Sequence, residues 1–329
     1  MSPTLNDIAK ATKTSVSTVS RVLADGPISQ RISTQTRARV RQAALQLGYK
    51  PNLLARSLRT RKSHTIALLV SDIANPFFGR LASLIEQSLR GHGYSLILCN
   101  SGEDPELEKE YLTLLPQKGI DGLILVPILR TKKALRELVP ENLPVVIVDR
   151  PIQGMRACVW SDQDQLSQLV ADALTVAGVK RIVLVCGPRH VVTHRRRAEY
   201  MEKRFEVIAT EEGPAQPETG RLAALRWLGE NPDAFVCTNN FLGQGVVESI
   251  GELPRPPIVA LVDELSMIEG FSTPIVTAIQ DVPMFAETSV KLLLPQLMPG
   301  GGKVDEAMLT SRLVVNKAFQ NRVNQRQTA

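Results

Sequence analysis

Aromatic side chains make up only 4% of these 329 residues, and there are just four cysteines. Cys99, Cys158, Cys186 and Cys237 stand singly, three of them at the ends of apolar runs. That spacing argues against a disulfide framework or a zinc site and suits reduced core thiols. No run of 18 apolar residues occurs, so no membrane-spanning helix is expected. The opening Met1-Ser-Pro-Thr-Leu-Asn-Asp7 has neither the basic nor the apolar region of a signal peptide, and a cytoplasmic location is expected. Reactive constellations are missing too. His190 and His194 lie four apart, but no glutamate base or third ligand accompanies them. Gly300-Gly-Gly-Lys303 is followed by Val304 rather than Ser or Thr, which suits a plain turn and not a phosphate loop. There is no nucleophile elbow and no dinucleotide fingerprint. The expectation is a protein that is not an enzyme, with no cofactor and no metal.

Glutamate is absent from the first 63 residues, which hold twelve Lys and Arg against Asp7 and Asp25, a local charge of +10. The remaining 266 residues hold 27 basic and 31 acidic side chains, a charge of −4. The whole-chain +6 therefore combines a basic head with a mildly acidic body, a footprint expected of a nucleic-acid-binding module joined to something else.

Three short helices are expected in residues 1–49. Leu5, Ile8 and Ala9 share a face of a first helix opening after Thr4, with Asp7 as a weak capping-box partner. After a break at Lys13-Thr-Ser15, the spacing of Val16, Val19, Val22 and Leu23 predicts a second helix, apolar behind and lined in front by Ser17, Thr18, Ser20 and Arg21. Asp25-Gly-Pro27 ends it. A third, roughly Thr34 to Leu47, buries Val40, Ala44 and Leu47 and exposes Arg37, Arg39 and Arg41 before Gly48. Such an arrangement is a helix-turn-helix. Hydroxyls on a recognition helix can bond base edges or phosphates, and an arginine can grip guanine or clamp the backbone.

The stretch from Thr4 to Leu23, Thr-Leu-Asn-Asp-Ile-Ala-Lys-Ala-Thr-Lys-Thr-Ser-Val-Ser-Thr-Val-Ser-Arg-Val-Leu, resembles the N-terminal signature of the LacI/GalR family of bacterial transcription regulators. The resemblance implies DNA contacts from Thr4, Ser15, Val16, Ser17, Thr18, Ser20 and Arg21, with Val16 and Ser17 reaching base edges. Residues 50–63 are basic and begin with Lys50-Pro51, and a helix of two turns is marginal on its own in water. By the same resemblance this stretch is a hinge helix that pairs with its dimer mate in the minor groove. Asn52, Ala55 and Arg56 would contact DNA there, and Leu58 would wedge a base step apart.

From His64 onward short apolar runs alternate with helical patterns. The runs are Thr65–Val70, Tyr94–Cys99, Gly122–Val126, Val145–Val148, Arg181–Val185, Ala234–Cys237, Ile258–Val262 and Val276–Ile279. Continuous β-branched runs predict strands buried on both faces, hence parallel sheets with crossover helices in two α/β lobes. One lobe is expected at about 64–160 and 284–312, the other at about 161–283 and 313–329. Ligands bind such sheets at the carboxyl ends of the strands. The polar residues there are Ser71, Asp72, Asn75 and Phe78, then Asp149 and Arg150, then Ser161 and Asp162, and finally Asn239, Asp263 and Gln280. Carboxylates, amides and a ring make a sugar-like recognition set, although Asp and Asn equally favour strand and helix ends as plain caps.

The body resembles the effector domain of the same family, itself similar to periplasmic sugar-binding proteins. That resemblance implies effector contacts at Asp149, Arg197, Asn239 and Asp263. The run Arg195-Arg-Arg197 can aim one guanidinium into the cleft, which favours an anionic effector. With Arg150 and Ser161-Asp-Gln-Asp164 it is closest in pattern to the fructose-repressor branch, whose effectors are sugar phosphates. The partners expected are a pseudo-palindromic DNA operator, an anionic carbohydrate and a second copy of the chain, joined through first-lobe helices such as Phe77 to Arg90. The competing reading is a transport or sensor protein of the periplasmic-binding type with no DNA-directed function.

Overall fold

The computed structural model describes residues 3–23, 30–49, 62–298, 300–302 and 305–327. They fall into two compact units, Met1–Ser63 and His64–Ala329. The expected turn at Asp25-Gly-Pro27 and the expected hinge contacts Asn52, Ala55, Arg56 and Leu58 lie outside the described residues.

The first unit holds α1 (Leu5–Thr12), α2 (Val16–Leu23) and α3 (Thr34–Gln46). The Asp7 carboxylate accepts from the Thr4 N–H at 2.8 Å and the Thr4 hydroxyl at 2.7 Å, fixing the start of α1. Lys13, in the left-handed conformation at φ 50°, ends α1 and makes the tight turn. Ile8, Val19, Val22 and Val40 are fully buried and, with Ala9, Ala43 and Ala44, form the core. Two expectations are corrected here. Val16 is 40% exposed rather than buried behind α2, because it opens that helix one turn ahead of the core contacts. Leu47 is 41% exposed, and Ala43 fills the place expected of it.

The second unit is two six-stranded sheets with helices on both faces. Its first sheet combines β1 (Thr65–Val70), β2 (Ser95–Asn100), β3 (Gly122–Leu125), β4 (Val145–Val148) and β5 (Cys158–Ser161) with the late strand β11 (Ala307–Leu309). Its order is β11-β5-β4-β3-β1-β2, all parallel. The second sheet takes β6 (Arg181–Cys186), β7 (Glu206–Glu212), β8 (Ala234–Cys237), β9 (Ile258–Val262), β10 (Ile275–Gln280) and β12 (Ser311–Val315), in the order β12-β10-β9-β8-β6-β7. Only β12 runs antiparallel in it. The two orders are the same apart from numbering, so β4 and β9 occupy equivalent places. Ser161 lies in the first sheet and Ser311 in the second, so the chain passes between lobes near Asp162, Asp281 and Thr310.

Helices α4 (Pro76–Gly91), α5 (Pro105–Gln117) and α6 (Lys132–Leu138) serve the first lobe, joined by α11 (Val282–Leu293). The second lobe has α7 (Gln163–Val176), α8 (Val192–Arg204), α9 (Pro217–Trp227), α10 (Asn240–Ile250) and α12 (Lys317–Gln327). Helices α4 and α11 pack Phe77, Leu81, Ile85, Phe285 and Leu293 on one face of the first sheet. In the second lobe α9 and α10 cross at Gly220 and Gly245. A Cβ on Gly220 would meet the Leu242 carbonyl, and one on Gly245 the Pro217 carbonyl, so only glycine permits this approach. All four cysteines are free and buried. Among the described residues no helix is long and apolar enough to cross a membrane.

Candidate functional site

In the first unit the Ser15 hydroxyl accepts from the Thr18 N–H at 3.1 Å and lies 2.8 Å from the hydroxyls of both Ser17 and Thr18. This caps α2 and ties its first-turn hydroxyls together. Thr4, Ser15, Val16, Ser17 and Arg21 are exposed, and Thr18 and Ser20 half-buried. One helix thus presents an aliphatic tip, several hydroxyls and a cation to the outside, with Arg39 and Arg41 exposed on α3. Hydroxyls and a guanidinium of this kind can bond phosphates and base edges, and an aliphatic tip can pack on a thymine methyl.

In the second unit a cavity of about 400 Å³ lies between the lobes at the carboxyl ends of the strands. Asp72, Asn75, Phe78, Asp149, Arg150, Arg197, Asn239, Asp263 and Gln280 all line it, drawn from loops far apart in the chain. Asp149 follows β4 and Asp263 follows β9, the equivalent strands of the two sheets. Each sits in the left-handed region, at φ 68° and φ 73°, and donates its backbone N–H to the next strand, to Val159 O at 2.8 Å and Ala278 O at 2.9 Å. Aspartate tolerates this conformation better than most side chains, and such positions cluster where geometry serves function.

Buried charge is balanced within the cleft. Arg150 grips Glu103 through two bonds, 2.5 and 2.9 Å, lies 3.6 Å from Asp149, and reaches Ser71 Oγ at 3.4 Å. Burial disfavours the charge on Glu103, but the Arg150 guanidinium outweighs it and holds the carboxyl below its ordinary range. Glu108 behind it accepts from the N–H groups of Ile128 and Leu129 at 2.7 and 2.9 Å, and burial pushes its carboxyl up. Across the cleft, Arg197 donates Nε to Gln163 Oε1 and Nη1 to Thr238 O, both at 2.8 Å. Burial pushes Asp149 and Asp263 up despite the nearby arginines, and burial draws Arg197 down despite the two carboxylates. His194, 2.7 Å from Thr238 Oγ1, is driven well below its ordinary value by burial and by Arg197 and Arg150, so its ring is neutral.

Two acceptors in this cavity are buried without a partner, Asp149 Oδ1 and Gln280 Oε1. Gln280 donates its amide to Asp263 Oδ1 at 2.7 Å. Orphan buried acceptors are costly, and a ligand that donates hydrogen bonds relieves them. The lobes also meet directly. Asn75 and Asn240 exchange amide bonds of 3.0 and 3.3 Å, Arg80 pairs with Glu264 at 3.3 Å, and Arg130 donates to the His190 carbonyl.

Three expected residues lie outside the cavity lining, among them Ser161, which is fully buried at the end of β5. Asp162 caps α7, accepting from the Asp164 and Gln165 N–H groups at 3.0 and 3.1 Å, and its neighbour Gln163 orients Arg197 instead. Ser71 is fully buried behind Arg150. Of the arginine run, Arg195 and Arg196 pair outward with Glu199 at 3.8 Å and Asp164 at 2.9 Å, and only Arg197 faces inward. The residues not foreseen include Asn100 at the end of β2, Glu103 just after it, His194, Thr193 and Gln216. The first two follow the apolar run Tyr94–Cys99, whose end is a strand end like the others.

A two-lobed α/β receptor for a small polar ligand, carrying a helix-turn-helix unit, is the class of protein these features define. The family described as periplasmic binding proteins and sugar binding domain of LacI family matches residues 63–289, and that described as bacterial regulatory proteins, lacI family, matches residues 4–52. The chain belongs to the LacI family of bacterial regulators. It is 26% identical to the HTH-type transcriptional repressor PurR of Haemophilus influenzae (strain PittEE), covering 97% of this chain and 99% of that protein. With the sucrose operon repressor of Pediococcus pentosaceus it shares 37% identity over 202 residues, 61% of this chain and 60% of the relative. Among solved structures, the lac repressor dimer bound to operator and the anti-inducer ONPF superimposes with a TM-score of 0.84 at 24% identity, covering 97% of this chain and 99% of that one, a likeness of fold.

Proposed function

We propose that the chain is a DNA-binding transcriptional repressor of carbohydrate-metabolism genes, acting as a homodimer on a pseudo-palindromic operator and gated by a small sugar in the inter-lobe cleft. The exposed hydroxyls, Val16 and Arg21 of α2 are the base- and phosphate-contacting set, in a unit of strongly basic composition. Asn52, Ala55, Arg56 and Leu58 are proposed as hinge contacts on the strength of the family resemblance. The domain plan proposed is a DNA-binding unit at 1–49, a hinge at 50–63 and a ligand-binding unit from 64. One head offers few base contacts, so a dimer is needed for useful specificity. The edge strand β2 exposes Ile97 and Leu98, 38% and 42%, which suits first-lobe pairing beside α4.

The observation that carries the sugar reading is the pair of orphan acceptors, Asp149 Oδ1 and Gln280 Oε1, in a cavity that also holds Asp263, Asn239 and the ring of Phe78. Sugar hydroxyls supply the missing donors, and the ring covers an apolar sugar face. A sugar phosphate is the second reading, favoured by Arg197. The balance of charge weighs against it, since Arg150 is held by Glu103 and Arg197 faces both Asp149 and Asp263. Sugar binding between the lobes shifts their closure, through contacts such as Asn75–Asn240, and thereby DNA affinity; the coupling is reciprocal. A thermal-shift screen against neutral sugars, sugar phosphates and aldonic acids tests this. Stabilisation by neutral sugars, lost in Asp263→Asn, is expected. Stabilisation by the anions alone overturns the neutral reading in favour of the phosphate one.

A further inference from the structure

We propose that the second lobe carries a binding site for a small phosphate-bearing anion at the end opposite the sugar cleft. A concavity of about 610 Å³ lies there, framed by the loops that enter β9 and β10 and by α12. Three guanidinium groups line it, those of Arg255, Arg322 and Arg326, with the amides of Asn321 and Gln325 and, among the described residues, no carboxylate. None of the three arginines pairs with a carboxylate among the described residues. The charge is segregated along the chain as well. The body from residue 64 is net negative, yet residues 307–329 hold Arg312, Lys317, Arg322 and Arg326 and no acidic side chain.

One of the three cations is held in place before any ligand arrives. Arg326 donates Nη1 to the Ala177 carbonyl at 3.0 Å and lies across Gly178, where a Cβ would collide with its guanidinium. Arg255 stands between Pro254 and Pro256, whose rings fix the backbone on either side. Guanidinium forks match phosphate oxygens, and cations that stay put lose less entropy on binding than free ones. Unopposed cations gathered in a hollow of this size therefore suit a ligand with more than one negative charge. The site is independent of the sugar reading, because none of its lining residues touches the cleft.

Isothermal titration of pyrophosphate into the full chain tests this, at constant ionic strength set with sodium chloride. The double variant Arg255→Ser/Arg322→Ser changes side chains that make no hydrogen bond or ion pair among the described residues. A second variant, Arg21→Ser/Arg39→Ser, controls for the basic head. Expected are one pyrophosphate per chain, an affinity at least tenfold weaker in the Arg255/Arg322 variant, and no change in the head variant. No binding at millimolar pyrophosphate overturns the site. So does binding that the Arg255/Arg322 change leaves intact, which would place the anion on the head or in the cleft.

Discussion

Replacing Arg150 by methionine should cost this protein more stability than almost any other single change in the ligand-binding unit. Arg150 is 5% exposed and ties four strand ends together, through Glu103, Ser71, the Pro127 carbonyl at 3.5 Å and its own neighbour Asp149. Methionine fills much of the volume but leaves Glu103 and Asp149 without their cation. Removing one partner of a buried pair typically costs about 3–5 kcal/mol, because the other charge stays buried and uncompensated. At about 2–4 °C per kcal/mol for a unit of this size, the melting temperature should fall by roughly 6–20 °C. Adding Glu103→Gln removes the stranded charge, so the double variant should recover at least half of the loss. The pH dependence has a definite sign. Glu103 is depressed in the folded protein, so its contribution is full above the unfolded carboxylate value and is lost as pH falls through the folded one. The gap between wild type and Arg150→Met should therefore be widest near pH 7 and narrow on acidification. Urea unfolding of the three proteins at pH 7 and at about pH 3, below the unfolded carboxylate value, at one protein concentration, reads all of this. A loss below about 1 kcal/mol, or a gap that pH leaves unchanged, would refute the assignment of Arg150 as the charge anchor of the cleft.

Sugar affinity should fall as pH is lowered, because Asp149 and Asp263 are raised in the free cleft while a hydroxyl donor favours their ionised forms; calorimetry at pH 8 and pH 5.5 checks this, and the opposite slope sinks it. Gly245→Ala should destabilise the second lobe by about 1–3 kcal/mol through its collision with the Pro217 carbonyl, measured by denaturant midpoint, whereas a matching change at the open position Gly229 should not. Leu58→Gly should weaken operator binding while leaving sugar affinity intact, as followed by calorimetry and a DNA shift assay at fixed salt; unchanged DNA affinity would remove the wedge role from this residue.

The strands that were legible in the sequence are those buried on both faces. Thr65–Val70 and Ile258–Val262 read as continuous apolar runs because no alternate position meets water. The strands that escaped notice are edge or short ones. β7 spans Glu206–Glu212 with three glutamates, since one side of it pairs with nothing, and β11 has only three residues. Most of the cleft was legible for a related reason: in a doubly wound sheet every ligand-facing loop follows a strand, so finding the strand finds the residue. Asp162 escaped that rule because it follows β5 at the lobe crossing, where the helix start needs its carboxylate as a cap. The arginine run was legible only in part, since Arg197 was singled out by the family resemblance and not by the run itself. Successive residues on a helix point about 100° apart, and sequence does not say which of three faces the cavity. Nor does it show that Glu103 and Gln163 engage Arg150 and Arg197 from elements far away in the chain.

On this reading a ligand held between the lobes sets the affinity of the helix-turn-helix unit for DNA. The most direct test takes a duplex enriched by this protein from a random library and follows its binding by fluorescence anisotropy at 150 mM salt, with and without whichever sugar raises the melting temperature. Expected are selective binding over random competitor and a change of at least tenfold in DNA affinity when the sugar is present, abolished in Asp263→Asn. A sugar that binds the cleft yet leaves the DNA affinity unchanged would contradict this reading.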